Sequence, residues 1–242
     1  MPDEIRILHV DDDPSHLQVV KLILERADPH IHVESAGDPH DALRRIAEAP
    51  VDCVVTDYMM PDINGIQLAT RIRQSTDAPI ILYTGQGSEE IAEEAFTVGV
   101  DDYIRKEPEA GHYQVLARRI RAAVEKHRAE AELRASEENY RNVIERANFG
   151  VIVTQDGLLR FANRRMTEMT GYPQEEVVGT PFIDYLHPDD RTEALEAYRN
   201  RDISEDTYFP FRVITRGGET RWIEINGVII DWGGREATLH FI

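Results

Sequence analysis

Five short apolar runs, each followed by an amphipathic one, fill the first half of this chain, and no other feature restricts its fold as much. Strands are expected at residues 5–10, 31–35, 51–56, 80–83 and 103–104. Helices are expected near residues 15–26, 39–47, 65–73 and 88–98, with a further one starting at about His112. Leu17, Val20 and Leu24 recur at helical spacing, as do Ile91, Ala95 and Val98. Asp38 and Ser88 stand where N-caps belong, and Pro39 takes the first helical position. Strands so continuously apolar are buried on both faces. In a β-α alternation that means a doubly wound α/β fold, a five-stranded parallel sheet between two layers of helices.

The pattern changes after about Gly150. Residues 151–154 and 158–162 flank the turn Gln155-Asp156-Gly157 as a hairpin. Short helices follow, broken at Gly171, Pro173, Gly179 and Pro181, then a helix near 189–200. Strands at 209–215, 220–230 and 236–242 are joined at Gly217-Gly218 and Gly233-Gly234. Strands at both ends with helices between describe an α+β domain. From His112 to Ala147 there is neither glycine nor proline, so one long helix, or two nearly fused and parted at Ser136, connects the halves. The chain therefore divides into 1–125, a helical linker 126–136, and 137–242.

At 242 residues two domains fit comfortably, and 41% apolar residues suffice for two cores. No stretch is long and apolar enough for a membrane span. The start, MPDEIRILHV, lacks the features of an export signal, and Cys53 as the single cysteine rules out a disulfide framework. Both point to the cytoplasm. A net charge of −18 argues against nucleic acid as a partner, because phosphate would be repelled.

The stretch VVTDYMMPDING ends an apolar run on a bare carboxylate, Asp57. In a doubly wound sheet ligands bind outside the carboxyl ends of the strands. HVDDDPS delivers Asp11 and Asp12 to the same edge, IILYT ends there on Thr84, and Lys106 follows the fifth strand. Carboxylates, a hydroxyl and an ammonium from four separate segments suit phosphoryl transfer to a carboxylate, with a hard cation and a lysine neutralising the moving charge. Asp13, followed by Pro14 and Ser15, is placed to cap the first helix instead.

These residues carry a resemblance. Asp11-Asp12, the motif around Asp57 with Pro61 and Gly65, then Thr84, Tyr103 and Lys106 resemble a two-component response-regulator receiver domain of flavodoxin-like fold. The resemblance implies that Asp57 accepts phosphate from a sensor histidine kinase, and that Mg²⁺ is bound by Asp12, Asp57 and the Met59 carbonyl, with Asp11 acting through water. It further implies that Lys106 and Thr84 assist the transfer, that Thr84 and Tyr103 form the switch pair, and that the domain is a phosphoacceptor rather than an enzyme. One departure is Glu107 where such domains carry proline after the lysine. The Lys106–Glu107 bond is expected to be trans, any cis bond falling at Glu107–Pro108. HVDDDPS also resembles the D-x-D nucleophile motif of haloacid-dehalogenase-type phosphatases, with Asp11 as nucleophile, Asp13 as acid and Asp101-Asp102 as metal pair. There, however, the lysine precedes the acidic pair, whereas Lys106 follows it.

From about Glu137, SEENYRNVIERANFGVIVTQDG, FANRRMTEMTGYPQEEVVG, FIDYLHPDDR and the closing strand pair resemble a PAS sensor domain with a five-stranded antiparallel sheet. The photoactive flavin domains of that family need a cysteine that this half lacks, and His187 before Pro188-Asp189 reads as a helix start rather than a haem ligand. No flavin or haem is therefore expected, while a small ligand stays open. Trp222 is expected in the core or on a cavity wall. The PAS resemblance implies a continuation beyond LHFI, so either the chain is truncated or it signals by association alone. Two readings follow: a phosphorelay module whose receiver acts through the linker on a PAS sensory or dimerisation domain, or the input part of a larger hybrid sensor histidine kinase. In the linker, Leu116, Ile120, Ala123 and Val124 are expected to pack on the first sheet. Leu133, Tyr140, Val143, Ile144 and Ala147 are expected to cover the second sheet or pair with a second chain. Charged residues between the two sets allow a weak parallel homodimer at most, or a monomeric spacer.

Overall fold

The computed structural model describes residues 4–85, 88–107, 110–200 and 208–242. It divides into two compact units, Met1–Arg134 and Ala135–Ile242.

In the first unit, strands β1 (Ile5–Val10), β2 (Ile31–Ala36), β3 (Cys53–Thr56), β4 (Ile80–Thr84) and β5 (Asp102–Arg105) form one parallel sheet in the order β2-β1-β3-β4-β5. The helices are α1 (Pro14–Ala27), α2 (Pro39–Glu48), α3 (Gly65–Ile72), α4 (Glu89–Thr97) and α5 (Ala110–Glu145), whose last turns belong to the second unit. The first three begin on caps that their sequence supplies. The Asp13 carboxylate accepts from the Ser15 and His16 amides, Asp38 caps α2 ahead of Pro39, and Asn64 and Gln67 form a reciprocal capping box on α3.

Alternate strand residues feed two cores. Ile5, Ile7, Val55, Ile81 and Ile104 pack with Val20 and Leu24 of α1 and with Leu116, Ala117, Ile120 and Val124 of α5. Leu8, Val10, Val54, Ile80 and Leu82 pack with Ala42 of α2, Ile66, Leu68 and Ile72 of α3, and Ala95 of α4. The sheet is thus covered on both sides, as its apolar strands require. The first apolar set of α5 packs where expected. Ser136 does not start a new helix: α5 runs through it unbroken, since no proline or glycine lies between His112 and Glu145. No peptide bond among the described residues is cis, so Lys106–Glu107 is trans. The Glu107–Pro108 bond lies outside the described residues.

In the second unit, β6 (Val151–Gln155), β7 (Leu158–Ala162), β8 (Phe209–Ile214), β9 (Thr220–Asp231) and β10 (Glu236–Phe241) form an antiparallel sheet in the order β7-β6-β10-β9-β8. Helices α6 (Arg164–Thr170), α7 (Gln174–Val177) and α8 (Arg191–Asn200), with 3-10 turns at Phe182–Tyr185 and Pro188–Asp190, lie between the hairpin and the last three strands. His187 caps the second of these turns, its Nδ1 accepting from the Asp189 amide at 3.4 Å, which is the structural role its sequence suggests. Trp222 corrects an expectation. It is 70% exposed, because β9 turns Ile223 inward and Trp222 to the opposite face, where Arg212 lies 5.5 Å from its ring.

Candidate functional site

Asp57 follows β3 directly, and its amide donates to the Val10 carbonyl, which ties the strand ends together at the carboxyl edge of the sheet. Its side chain is 9% exposed. One oxygen, Oδ2, accepts the Met59 amide at 2.9 Å, and the other, Oδ1, faces Lys106 Nζ at 2.8 Å. The same ammonium donates to Asp11 Oδ2 at 2.7 Å. Lys106 is itself positioned by a bond from its amide to the Thr84 carbonyl, an extension of the β4–β5 pairing. One cation therefore clamps two nearly buried carboxylates that are 46 positions apart in sequence.

Asp11 is the more heavily bonded of the two. Burial opposes its ionisation, but hydrogen bonds from His16 and Lys106 and from the Asp13 amide outweigh it and hold the carboxyl well below the usual carboxylate range. Asp12 beside it is exposed to solvent. Thr84 ends β4 with its side chain buried. Tyr103 is half-buried against the second core, and its hydroxyl is buried with no hydrogen-bond partner. Burial raises its pKa.

Asp11, Asp57, Lys106 and the Met59 backbone thus meet in direct contact, and Thr84 and Asp12 stand at the same edge. The phosphatase alternative loses its parts. Asp13 is spent as a helix cap, Asp101 accepts from Arg73 and the Ile80 amide, and Asp102 accepts from Arg119 and the Tyr103 amide. Two residues escaped the sequence reading. His16 Nδ1 lies 2.6 Å from Asp11 Oδ2, and His9 is wholly buried beside it, the two rings meeting edge to face at 5.6 Å. A histidine among the apolar residues at the end of β1, two positions before the acidic pair, was the available signal.

The oxygen-only donor set of Asp11, Asp12, Asp57 and the Met59 carbonyl fits a hard cation such as Mg²⁺. Two buried carboxylates share one ammonium, which leaves negative charge for such an ion to balance.

In the second unit a cavity of about 120 Å³ lies between the sheet and the helices, walled by Ile152, Leu159, Met166, Phe182 and Phe211. Its polar edge is His240, whose Nε2 is 3.0 Å from Thr154 Oγ1.

The first unit is a flavodoxin-like α/β domain with a carboxylate–lysine site at its switch edge, and the second is an antiparallel α+β domain. Residues 7–118 match the family model of the response regulator receiver domain, and residues 138–242 match that of the PAS fold. The chain carries a response-regulator receiver domain followed by a PAS domain. Transcriptional regulatory protein SrrA of Staphylococcus aureus is 39% identical over 100 residues, 41% of this chain and 41% of that protein. The match thus spans less than half the length of that curated relative. A response regulator receiver domain protein from Clostridium thermocellum is 30% identical, covering 52% of this chain and 98% of that one, with a TM-score of 0.47. A CheY-like receiver domain protein from Methanospirillum hungatei JF-1 is 27% identical, with the same coverage and a TM-score of 0.48. Among the described residues no helix is long and apolar enough to cross a membrane.

Proposed function

We propose that the receiver unit takes a phosphoryl group onto Asp57 from a sensor histidine kinase and relays that state through α5 to the PAS unit, acting as a signalling module rather than an enzyme. The observation that carries this reading is the Lys106 clamp between Asp57 and Asp11 at the carboxyl edge of the sheet. In the transfer an Asp57 carboxylate oxygen forms a bond to phosphorus as the bond from phosphorus to the donor nitrogen breaks. Lys106, already within 2.8 Å of Asp57 Oδ1, supplies a charged donor to the incoming oxygens. The Met59 amide holds Oδ2 and fixes the rotamer of the nucleophile. Mg²⁺, held by Asp12, Asp57 and the Met59 carbonyl with Asp11 through water, would neutralise the phosphoryl charge. Thr84 and Tyr103 form the switch pair that reads the occupied site. The acidic surface of the chain favours protein partners over nucleic acid.

Beryllofluoride or acetyl phosphate with Mg²⁺ should occupy or modify a single site in the wild type. Asp57→Asn should abolish this, and Asp12→Ala should weaken it. Equal labelling of Asp57→Asn would remove the assignment.

A further inference from the structure

We infer that His9, Asp11 and His16 form a second metal site, one selective for a borderline transition ion such as Zn²⁺ over Mg²⁺. One donor atom from each residue lies within 4.8 Å of the other two. The geometry has a simple origin: His9 and Asp11 close β1, and His16 sits in the first turn of α1, which Asp13 caps against that strand end.

The independent observation is His9. Its side chain is fully buried, and neither ring nitrogen has a hydrogen-bond partner. Buried polar atoms are almost always hydrogen-bonded, so a ring with two bare nitrogens calls for a ligand. An imidazole offers a lone pair on the ring nitrogen that carries no hydrogen, and this is how a histidine ligates a metal. His16 Nδ1 and Asp11 Oδ2 face each other at 2.6 Å. Two imidazole nitrogens and one carboxylate oxygen suit Zn²⁺, with water in a fourth position, whereas Mg²⁺ prefers oxygen throughout. Lys106 donates to the same Asp11 oxygen, so an ion there displaces the ammonium, which keeps its contact with Asp57.

Occupancy would therefore detach Asp11 from Lys106 and depress phosphoryl uptake at Asp57, a consequence that rests on the phosphoacceptor reading. The binding itself does not. Zn²⁺ alone, titrated into the full chain against a chromophoric chelator, should show one tight equivalent. His16→Gln, a partly exposed position where the fold should survive, should weaken it by about tenfold or more, the scale at which even supporting partners of a ligand act. His9→Phe, checked for folding by circular dichroism, should do the same. Co²⁺ should give a visible absorption band in the wild type that His16→Gln lacks. Equal Zn²⁺ uptake or identical Co²⁺ spectra in wild type and His16→Gln would overturn the site. Beryllofluoride uptake with Mg²⁺ is then compared with and without Zn²⁺. Suppression in the wild type but not in His16→Gln supports the regulatory consequence, and equal uptake overturns it. A wild type that takes no beryllofluoride from Mg²⁺ alone defeats the phosphoacceptor reading and leaves the Zn²⁺ result standing.

Discussion

Gly65 sits so close to Asp57 that a β-carbon on it would collide with the Asp57 carbonyl oxygen and come within 2.8 Å of Leu82 Cδ1. The Gly65 amide also donates to the Tyr58 carbonyl, closing the loop that begins at Asp57. The loop is therefore braced by close backbone approach, and glycine is the residue that permits it.

Gly65→Ala follows as a first prediction. The obstacle is backbone, which cannot swing aside as a long side chain can, so the cost should be that of overpacking, about 1–3 kcal/mol. The midpoint of thermal unfolding of the first unit should fall, and beryllofluoride occupancy should drop with it, because the loop carries Met59. A variant with wild-type melting and wild-type occupancy would show that the loop relaxes freely.

Much of this site was legible because the strands end where their apolar runs end. Asp57, Thr84 and the Asp11-Asp12 pair each follow such a run directly, so their shared edge could be read before any contact was known. The direct clamp of Lys106 on Asp11 was not legible, since it depends on side-chain reach from the end of β5 past β4 and β3 to the end of β1. The contacts of His16 with Asp11 and with the His9 ring depend on how α1 returns to the end of β1, a tertiary fact that no local pattern records. Trp222 was misplaced for a related reason: alternation defines two faces of a strand, but the neighbours decide which one is covered. Of the two readings of the connecting segment, the single helix holds, and a break at Ser136 does not because capping residues act only where the ladder already ends.

Tyr103 carries a buried hydroxyl with no partner, and this predicts an unusual sign. Deleting that oxygen removes an unpaid desolvation cost, so Tyr103→Phe should stabilise the unphosphorylated first unit by about 1 kcal/mol. Urea unfolding followed by a probe in that unit measures it. If the hydroxyl is the moving half of the switch pair, the same variant should uncouple Asp57 occupancy from any change in association. Destabilisation by a similar amount would mean that the hydroxyl is satisfied in solution.

His240 gives the second unit a predicted acid sensitivity. Burial lowers its pKa from 6.5 to about 4. The unfolded chain therefore binds a proton that the folded unit excludes between those values. Stability is complete above the unfolded pKa and declines as pH falls towards the folded one, by at most about 3 kcal/mol. Trp222 and Trp232, the chain's two tryptophans, both lie in this unit, so their fluorescence reports its unfolding alone. His240→Gln should flatten the dependence. An unchanged slope in that variant would assign the acid sensitivity to other groups.

The last prediction concerns α5. Its first apolar set is buried in the receiver core, but Leu133, Tyr140 and Val143 are 61%, 71% and 71% exposed. Leu133 and Tyr140 are seven residues apart, and Val143 follows three later, the spacing of a helix seam. Covering that seam with the same seam of a second chain would bury two tyrosines and four aliphatic side chains. His127, Glu130, Arg134 and Glu137 interrupt it with charge and polarity, so the association should be weak and salt-sensitive. Phosphorylation at Asp57 would then act by population shift, favouring one of two arrangements that differ little in free energy. Sedimentation of the full chain should show a concentration-dependent dimer that beryllofluoride with Mg²⁺ strengthens, and Val143→Glu should abolish it by placing like charges across the seam. A monomer at high concentration in both states would leave α5 a passive tether between the receiver and the PAS domain.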